Sequence, residues 1–405
     1  MVKVSRRLFL HKLLAFILTT LFAVFILPKH TLAAEPLISV YLTFPDVDTS
    51  RSITVHYISQ EPIENPTVNF GDSPVWGLAE YPAKQKQIKG VPRWYYSAQI
   101  RGLSPNTVYY FRIPGYEQEY KFRTLPDDDS TIRIVQGGDM GTKDLIADIS
   151  RDSMKAEPHV IMIGGDIAYA NGEIQNYKRW DNWFSVMNEA MFTPQGFLVP
   201  LIIAIGNHEV NTLRIGSKKD RAPFYFAQFD QNDGTSYFKR RLGAHTMLFV
   251  LDTGHAEPHI GPQLFWIHRN MKKAKKYKSR IALYHIPLYP SVRNYTNPMS
   301  SAMRFAWLPA FDKYKLTMAF ENHDHALKRT KLLRRNKIVE KNGTLYLGDG
   351  CWGRPNRKVD LSRPYLAYAE SVKHVWYGEL NAEELAFKAV GVDGVVFDQI
   401  SLDRR

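Results

Sequence analysis

Residues 132–141 read Ile-Arg-Ile-Val-Gln-Gly-Gly-Asp-Met-Gly, and residues 159–169 read His-Val-Ile-Met-Ile-Gly-Gly-Asp-Ile-Ala-Tyr. Each is an apolar run that stops at paired glycines and an aspartate. A nearly continuous apolar run reads as a strand covered on both faces, which places it in a sheet flanked by further layers. The same grammar returns in LVPLIIAIG (198–206), MLFVLD (247–252), RIALYHI (280–286), LTMAFENH (316–323) and TLYLGDG (344–350), with helix-length stretches between. Residues 131–405 therefore read as an α/β layered domain. Its last part returns to strands joined by turns: HVWYGEL, LAFKAVG and GVVFDQISL.

Upstream of the Pro- and acid-rich link Leu125-Pro-Asp-Asp-Asp-Ser130 the pattern changes. SITVHYI, TVNFG, WYYSAQI, TVYYFRI and EYKFRTL alternate along their length and are punctuated by turn residues, so residues 35–125 read as an all-β sandwich. The run Leu103-Ser-Pro105-Asn-Thr107-Val-Tyr109 resembles the tyrosine corner of fibronectin type III domains, where a Tyr hydroxyl pins the chain ahead of a strand.

Residues 1–34 read as a signal peptide: Lys3, Arg6, Arg7 and Lys12 precede the apolar Leu13 to Leu27, and Ala33 or Ala34 suits cleavage. The apolar run is short for a membrane span, and an uncleaved anchor is the second reading. Ser5-Arg6-Arg7-Leu8-Phe9-Leu10 resembles the twin-arginine signal, which implies export, to the periplasm or beyond, of an already folded protein.

The whole chain has 405 residues, 44% of them hydrophobic and 23% charged, with a formal net charge of +13. These are globular values and exclude bulk disorder and a polytopic membrane architecture. Without the signal the net charge is about +8. Its densest basic run, Lys272 to Arg280, reads as a solvated helix end rather than a nucleic-acid patch, so no specific nucleic-acid partner is expected. The single cysteine, Cys351, excludes an internal disulfide framework and any multi-thiolate metal site, and gives no sign of a disulfide-linked dimer. Oligomeric state is not legible.

Ligand-type residues close the apolar strands: Asp139, then Asp166 with Tyr169, then Asn207-His208-Glu209, then His285, then Asn322-His323-Asp324-His325. Each is common alone. All of them in order, at strand ends where open α/β sheets place their sites, point to a hydrolytic centre with two cations. Such a pair needs a bridging carboxylate, several N and O donors, and open positions for water and substrate.

These motifs resemble the calcineurin-like metallophosphoesterases and, within them, the purple acid phosphatases. Tyr169 three residues after Asp166, and a fibronectin-like domain in front, single out that branch. The resemblance implies an α/β/β/α layered fold. It also implies one ferric ion on Asp139, Tyr169 and His325, and a zinc, manganese or ferrous ion on Asn207, His285 and His323, with Asp166 between the two. Hydrolysis would proceed by metal-activated hydroxide attacking a phosphoester in line. His208 becomes the candidate catalytic donor to phosphate or leaving oxygen, and Glu209 a supporting residue behind the ligands.

The sequence departs from the well-characterised plant members outside the ligands. Asn294 and Tyr295 stand where a substrate-contacting histidine pair is usual, Asn322 replaces the Gly of Gly-His-x-His, and Leu327-Lys328 replaces Tyr-Glu. Asn294, Tyr295 and the nearby Arg293 are candidate substrate contacts. His255, with His259, is a candidate substitute for the lost histidines. Cys351-Trp352-Gly353-Arg354 follows a strand close to the expected pocket, with Cys351 and Trp352 read as packing residues. The leading expectation is an exported acid phosphatase acting on small phosphorylated substrates, with no stable membrane span once the signal is cleaved. A phosphodiesterase or nucleotidase with the same metals is the close alternative. A cell-surface binding protein with a vestigial site is the distant one.

Overall fold

Two β-sheets lie face to face at the centre, and helices cover the outer faces. The computed structural model describes residues 36–74, 77–142 and 145–404; the signal-like segment 1–34 lies outside the described residues. The larger sheet has ten strands, in the order Val396–Asp403, Glu384–Val390, Val375–Leu380, Ile132–Gly137, Val160–Ile163, Leu201–Ile203, Ser39–Thr43, Ser52–Ser59, Trp94–Arg101 and Lys84–Gln87. Its middle three strands are parallel, and the C-terminal strands extend it antiparallel. The second sheet has seven, in the order Phe238–Leu242, Thr246–Val250, Ser279–Leu283, Met318–Phe320, Leu345–Gly348, Leu327–Thr330 and Leu366–Glu370.

Side-chain alternation explains the layers. In the strand Ser279–Leu283, Ile281 and Leu283 join the core shared with the ten-stranded sheet, whereas Ala282, and Tyr284 just beyond the strand, pack with residues of the helices Pro262–Lys273 and Pro298–Lys313. Phe320 meets Phe387 across the inter-sheet core with ring centroids 5.5 Å apart. On the other flank the helix Tyr177–Ala190 buries Trp180, Trp183, Phe184, Met187 and Ala190, a spacing that puts them on one face. The helix Pro298–Lys313 starts cleanly because Asn297 accepts the N–H groups of Met299 and Ser300 and Pro298 needs no donor partner.

The N-terminal sandwich pairs the strands Ser39–Thr43, Ser52–Ser59, Trp94–Arg101 and Lys84–Gln87 with a four-stranded sheet, Ala79–Pro82, Thr67–Gly71, Val108–Arg112 and Glu119–Arg123. The tyrosine corner is present: the Ser104 N–H donates to the Tyr109 hydroxyl at 2.9 Å. The sheet is continuous between the two parts of the chain, because Thr43 pairs in parallel with Leu201. The basic run behaves as read up to Lys276, the end of a short 3-10 turn, but Arg280 is a strand residue, 5% exposed, that donates to the Tyr277 and Lys315 carbonyls.

His56 is buried on the face of its sheet turned away from the four-stranded sheet, stacked on Tyr41, which packs against Phe184 and Phe229, and 2.7 Å from the Thr43 hydroxyl. Burial, reinforced by Lys86 and opposed by Asp230, pushes its imidazole from 6.5 down to about 3, so the fold holds it neutral. The stability that depends on this neutral state is complete above about pH 6.5 and is lost as pH falls towards 3, by up to about 1.4 kcal/mol per pH unit. His56→Gln is expected to flatten the fall of the urea midpoint between pH 6.5 and 4. An unchanged slope would contradict this.

Candidate metal centre

Backbone geometry at the strand ends makes the seven expected side chains converge. Asp139, Asp166, Tyr169, His323 and His325 all have positive φ, between 54° and 77°. That left-handed conformation is uncommon outside glycine and turns each side chain away from its strand direction. Glu209, 2% exposed, holds one such turn by accepting the N–H groups of Asp166 at 2.7 Å, Ile167 at 2.8 Å and Gly206 at 2.8 Å. Burial and the Asp166 charge lift its carboxyl to about 7 against those donors. Glu209 thus ties the backbone of Asp166 and Ile167 to that of Gly206.

The seven side chains fall into two sets. In one, His325 Nε2 lies 3.0 Å from Asp139 Oδ1 and 3.4 Å from the Tyr169 hydroxyl, which is itself 3.4 Å from Asp139 Oδ1. In the other, His285 Nε2 lies 3.0 Å from His323 Nδ1, 3.1 Å from Asp166 Oδ2 and 3.2 Å from Asn207 Oδ1. Each carboxylate spends its other oxygen on backbone: Asp139 Oδ2 accepts the His323 N–H at 2.7 Å, and Asp166 Oδ1 accepts the His208 N–H at 2.8 Å. One oxygen of Asp166 is therefore left to face the centre. Gly206 permits this approach, since a Cβ there would stand 2.3 Å from Asp166 Oδ1.

The donor set fits cations. His285 Nδ1 stands 2.9 Å from the Gly164 carbonyl and His325 Nδ1 3.3 Å from the Pro355 carbonyl, so both rings keep their N–H there and turn Nε2 inward. Carboxylate, amide oxygen and imidazole nitrogens within hydrogen-bond distance of one another have too few protons to satisfy them all. A positive ion resolves the crowding. Asp166, His285 and His323 alone place their ligand atoms within 4.8 Å of one another. Burial opposes a charge on His285, but Asp166 and Asp139 outweigh it and lift the imidazole to about 9. Burial, then Asp139 and Asp166, pushes the Tyr169 phenol well above its usual range.

His208 borders this centre. Its ring lies 4.1 Å from that of Tyr169, Nδ1 is 2.5 Å from Asn171 Oδ1, and Nε2 is 3.9 Å from Asp166 Oδ2. Asn171, with φ 58° and its N–H on the His208 carbonyl, was not evident from sequence, where a single loop Asn carries no signal. His255 is buried beside His285, ring centroids 5.7 Å apart, with Nε2 2.9 Å from the Thr253 hydroxyl. Asn294 is exposed in a turn, and Tyr295 packs under the Arg304 guanidinium at 3.7 Å and against Tyr365. Arg293 is committed to the Asp324 carboxylate at 2.5 Å and the His323 carbonyl at 2.7 Å. Cys351 and Trp352 are buried, as read.

Residues 38–124 match the family described as purple acid phosphatase, N-terminal domain, and residues 132–327 match calcineurin-like phosphoesterase. The chain is a purple acid phosphatase-like metallophosphoesterase. It is 27% identical to a probable purple acid phosphatase 20 of Arabidopsis thaliana over 66% of this chain and 66% of that one. It is 25% identical to a phosphoenolpyruvate phosphatase of Allium cepa over 86% of this chain and 76% of that one. The fold is shared with purple acid phosphatase PPD1 from yellow lupin seeds, with a TM-score of 0.76 at 19% identity, over 90% of this chain and 74% of that one. It is also shared with PhoD, with a TM-score of 0.70 at 11% identity, over 93% and 90%.

Asn322, which takes the usual glycine position, ties this phosphoesterase's two sheets together. Its N–H donates to the His285 carbonyl and its amide to the Tyr284 carbonyl, while Gln136 of the other sheet donates to its oxygen at 3.3 Å. Gly164 leaves room for that amide: a Cβ there would fall 1.9 Å from Asn322 Nδ2. Gly164→Ala is expected to destabilise the protein by about 1–3 kcal/mol, and Asn322→Gly in the same chain to recover part of that loss. Strictly additive effects in urea denaturation would contradict the contact.

Proposed function

We propose that the centre holds two cations, ferric iron on Asp139, Tyr169 and His325 and a divalent ion (zinc, manganese or ferrous iron) on Asn207, His285 and His323, with Asp166 shared. The protein would then be an exported acid phosphatase that releases phosphate from small monoesters. The observation that carries this reading is the pair of inward-facing donor sets with the single free oxygen of Asp166 among them. A phenolate is a hard anionic donor and suits a trivalent ion. The family match supports a phosphoester substrate, and the names of the plant relatives support the monoester class. Residues 1–34 support export.

Bound cations supply charge against the phosphoryl oxygens and lower the pKa of a coordinated water to about 7. The protein's own groups do the rest. Glu209 keeps the Asp166 turn rigid, so the carboxylate does not move as charge develops. Asn171 holds His208 by Nδ1, which leaves Nε2 facing the centre. Burial lowers the His208 imidazole below its usual range, with Asp166 opposing, so the imidazolium that donates to the phosphoryl or leaving-group oxygen, its other N–H staying on Asn171, is the form that acidic pH favours. The Asp139 carboxylate fixes the His323 backbone, which couples the two donor sets.

Asp166→Asn is expected to lose most bound metal and to lower kcat/KM by more than the roughly 10- to 100-fold typical of a supporting residue. Near-wild-type turnover with both metals retained would overturn the assignment. Tyr169→Phe is expected to bleach any visible charge-transfer band of the iron-loaded protein; an unchanged band would exclude Tyr169 as its source. Wild-type kcat/KM on matched aryl phosphate mono- and diesters should favour the monoester at acidic pH, and diester preference would contradict the monoester reading.

A further inference from the structure

Arg354 carries a charge that its surroundings do not neutralise. The segment bearing it is firmly held: the Trp352 N–H donates to the Gly138 carbonyl at 3.0 Å, the Arg354 N–H to the Asp139 carbonyl at 3.1 Å, and the Trp352 indole to Ser150 Oγ at 2.9 Å. Its aliphatic stem fills the space beside Gly141, where φ is +83° and a Cβ would stand 3.2 Å from Arg354 Cδ. The guanidinium carbon lies 4.2 Å from the centroid of the Tyr169 ring. His208 lies 4.1 Å from the same centroid, so both groups pack against the Tyr169 phenol.

Among the described residues, no carboxylate pairs with Arg354, and its Nε is buried with no hydrogen-bond partner. Leaving a buried donor unmet costs free energy unless something else meets it. The neighbouring guanidiniums are engaged: Arg293 pairs with Asp324, and Arg357 donates to the His323 carbonyl at 3.1 Å. A rigidly presented, unpaired guanidinium half-exposed at the edge of a phosphoester site is suited to an anion, because its planar fork matches carboxylate and phosphate oxygens.

On the phosphoesterase reading above, we propose that Arg354 is a substrate-binding residue that takes a second anionic group of the substrate, a phosphate or carboxylate on the leaving group. The guanidinium carbon lies 4.2 Å from the ring centroid of Tyr169, whose hydroxyl is within 3.4 Å of Asp139 and His325. An ester whose reacting phosphoryl sits at the two donor sets can therefore extend its leaving group to the guanidinium. The centre would favour nucleoside diphosphates, whose terminal phosphoanhydride is cleaved to release a nucleoside monophosphate, or phosphate esters of hydroxy or enol acids, over esters with a neutral leaving group.

The test compares wild type, Arg354→Met and Arg354→Lys, all metal-loaded, on 4-nitrophenyl phosphate, a nucleoside diphosphate and phosphoenolpyruvate. Arg354→Met is expected to lower kcat/KM about tenfold or more, through KM, on at least one of the two substrates with a second anion. The nitrophenyl ester should change by less than about threefold, and the lysine variant should lie between. Which of the two substrates suffers identifies the second anion as phosphate or carboxylate. Equal losses on all three, or none, would overturn the proposal. Calorimetric binding of pyrophosphate, phosphonoacetate and inorganic phosphate gives a readout independent of turnover: pyrophosphate or phosphonoacetate, matching the substrate that suffers, should weaken in the variants and inorganic phosphate should not. Should wild type turn over no ester, the phosphoesterase reading fails, and this binding comparison still decides the role of Arg354.

Discussion

Five of the side chains that face the centre sit on left-handed backbone, and the rest of the site is built to hold that conformation. An L-residue there costs roughly 1–2 kcal/mol relative to right-handed backbone, and it persists only where surrounding contacts fix it. The contacts are visible at each turn. Glu209 grips the Asp166 turn through three N–H groups, Asp139 grips the His323 N–H, and the His325 N–H donates to the Asp349 carbonyl at 3.1 Å. Strain and support together preorganise donors that would otherwise point along their strands.

Behind the His323-Asp324-His325 loop lies a second support, and it occupies a position where the sequence departs from its plant relatives. Lys328, fully buried, places Nζ 2.5 Å from both Glu321 Oε2 and Asp349 Oδ1. Burial opposes its charge, but Asp349 and Glu321 outweigh that and raise its pKa. Glu321 also accepts the Tyr284 hydroxyl and the Leu288 N–H, while Asp349 accepts Ser291. A lysine at this place therefore does not disturb the ligand loop; it joins Glu321 ahead of the loop to Asp349 beyond it. Asn322 acts similarly between the sheets. Both departures are accommodated by partners that lie far away in sequence.

The layered fold was legible because apolar runs are the strongest local signal of a buried strand, and the ligand-type residues were legible because they end such runs; their division into two sets came only from the family resemblance. The strand Phe238–Leu242 was hidden for the opposite reason. Its sequence, FKRRL, reads as surface, yet Arg240 is 1% exposed and donates to the carbonyls of Phe44 and Gln231. The pairing of Thr43 with Leu201, which makes one sheet of two parts of the chain, joins residues that no local pattern links. Asn171 and Arg354 gain their meaning only from the Tyr169 ring and His208 brought beside them. Asn294 and Tyr295 were proposed by register with relatives, and tertiary packing sends Tyr295 to Arg304 instead.

The central claim is that two cations share one phosphoester site. Titration of chelator-treated protein with metal, following phosphate release and bound metal by elemental analysis, tests it most directly. The account predicts that activity rises to a plateau at two ions per chain. A plateau at one ion, or full activity with none, would contradict it.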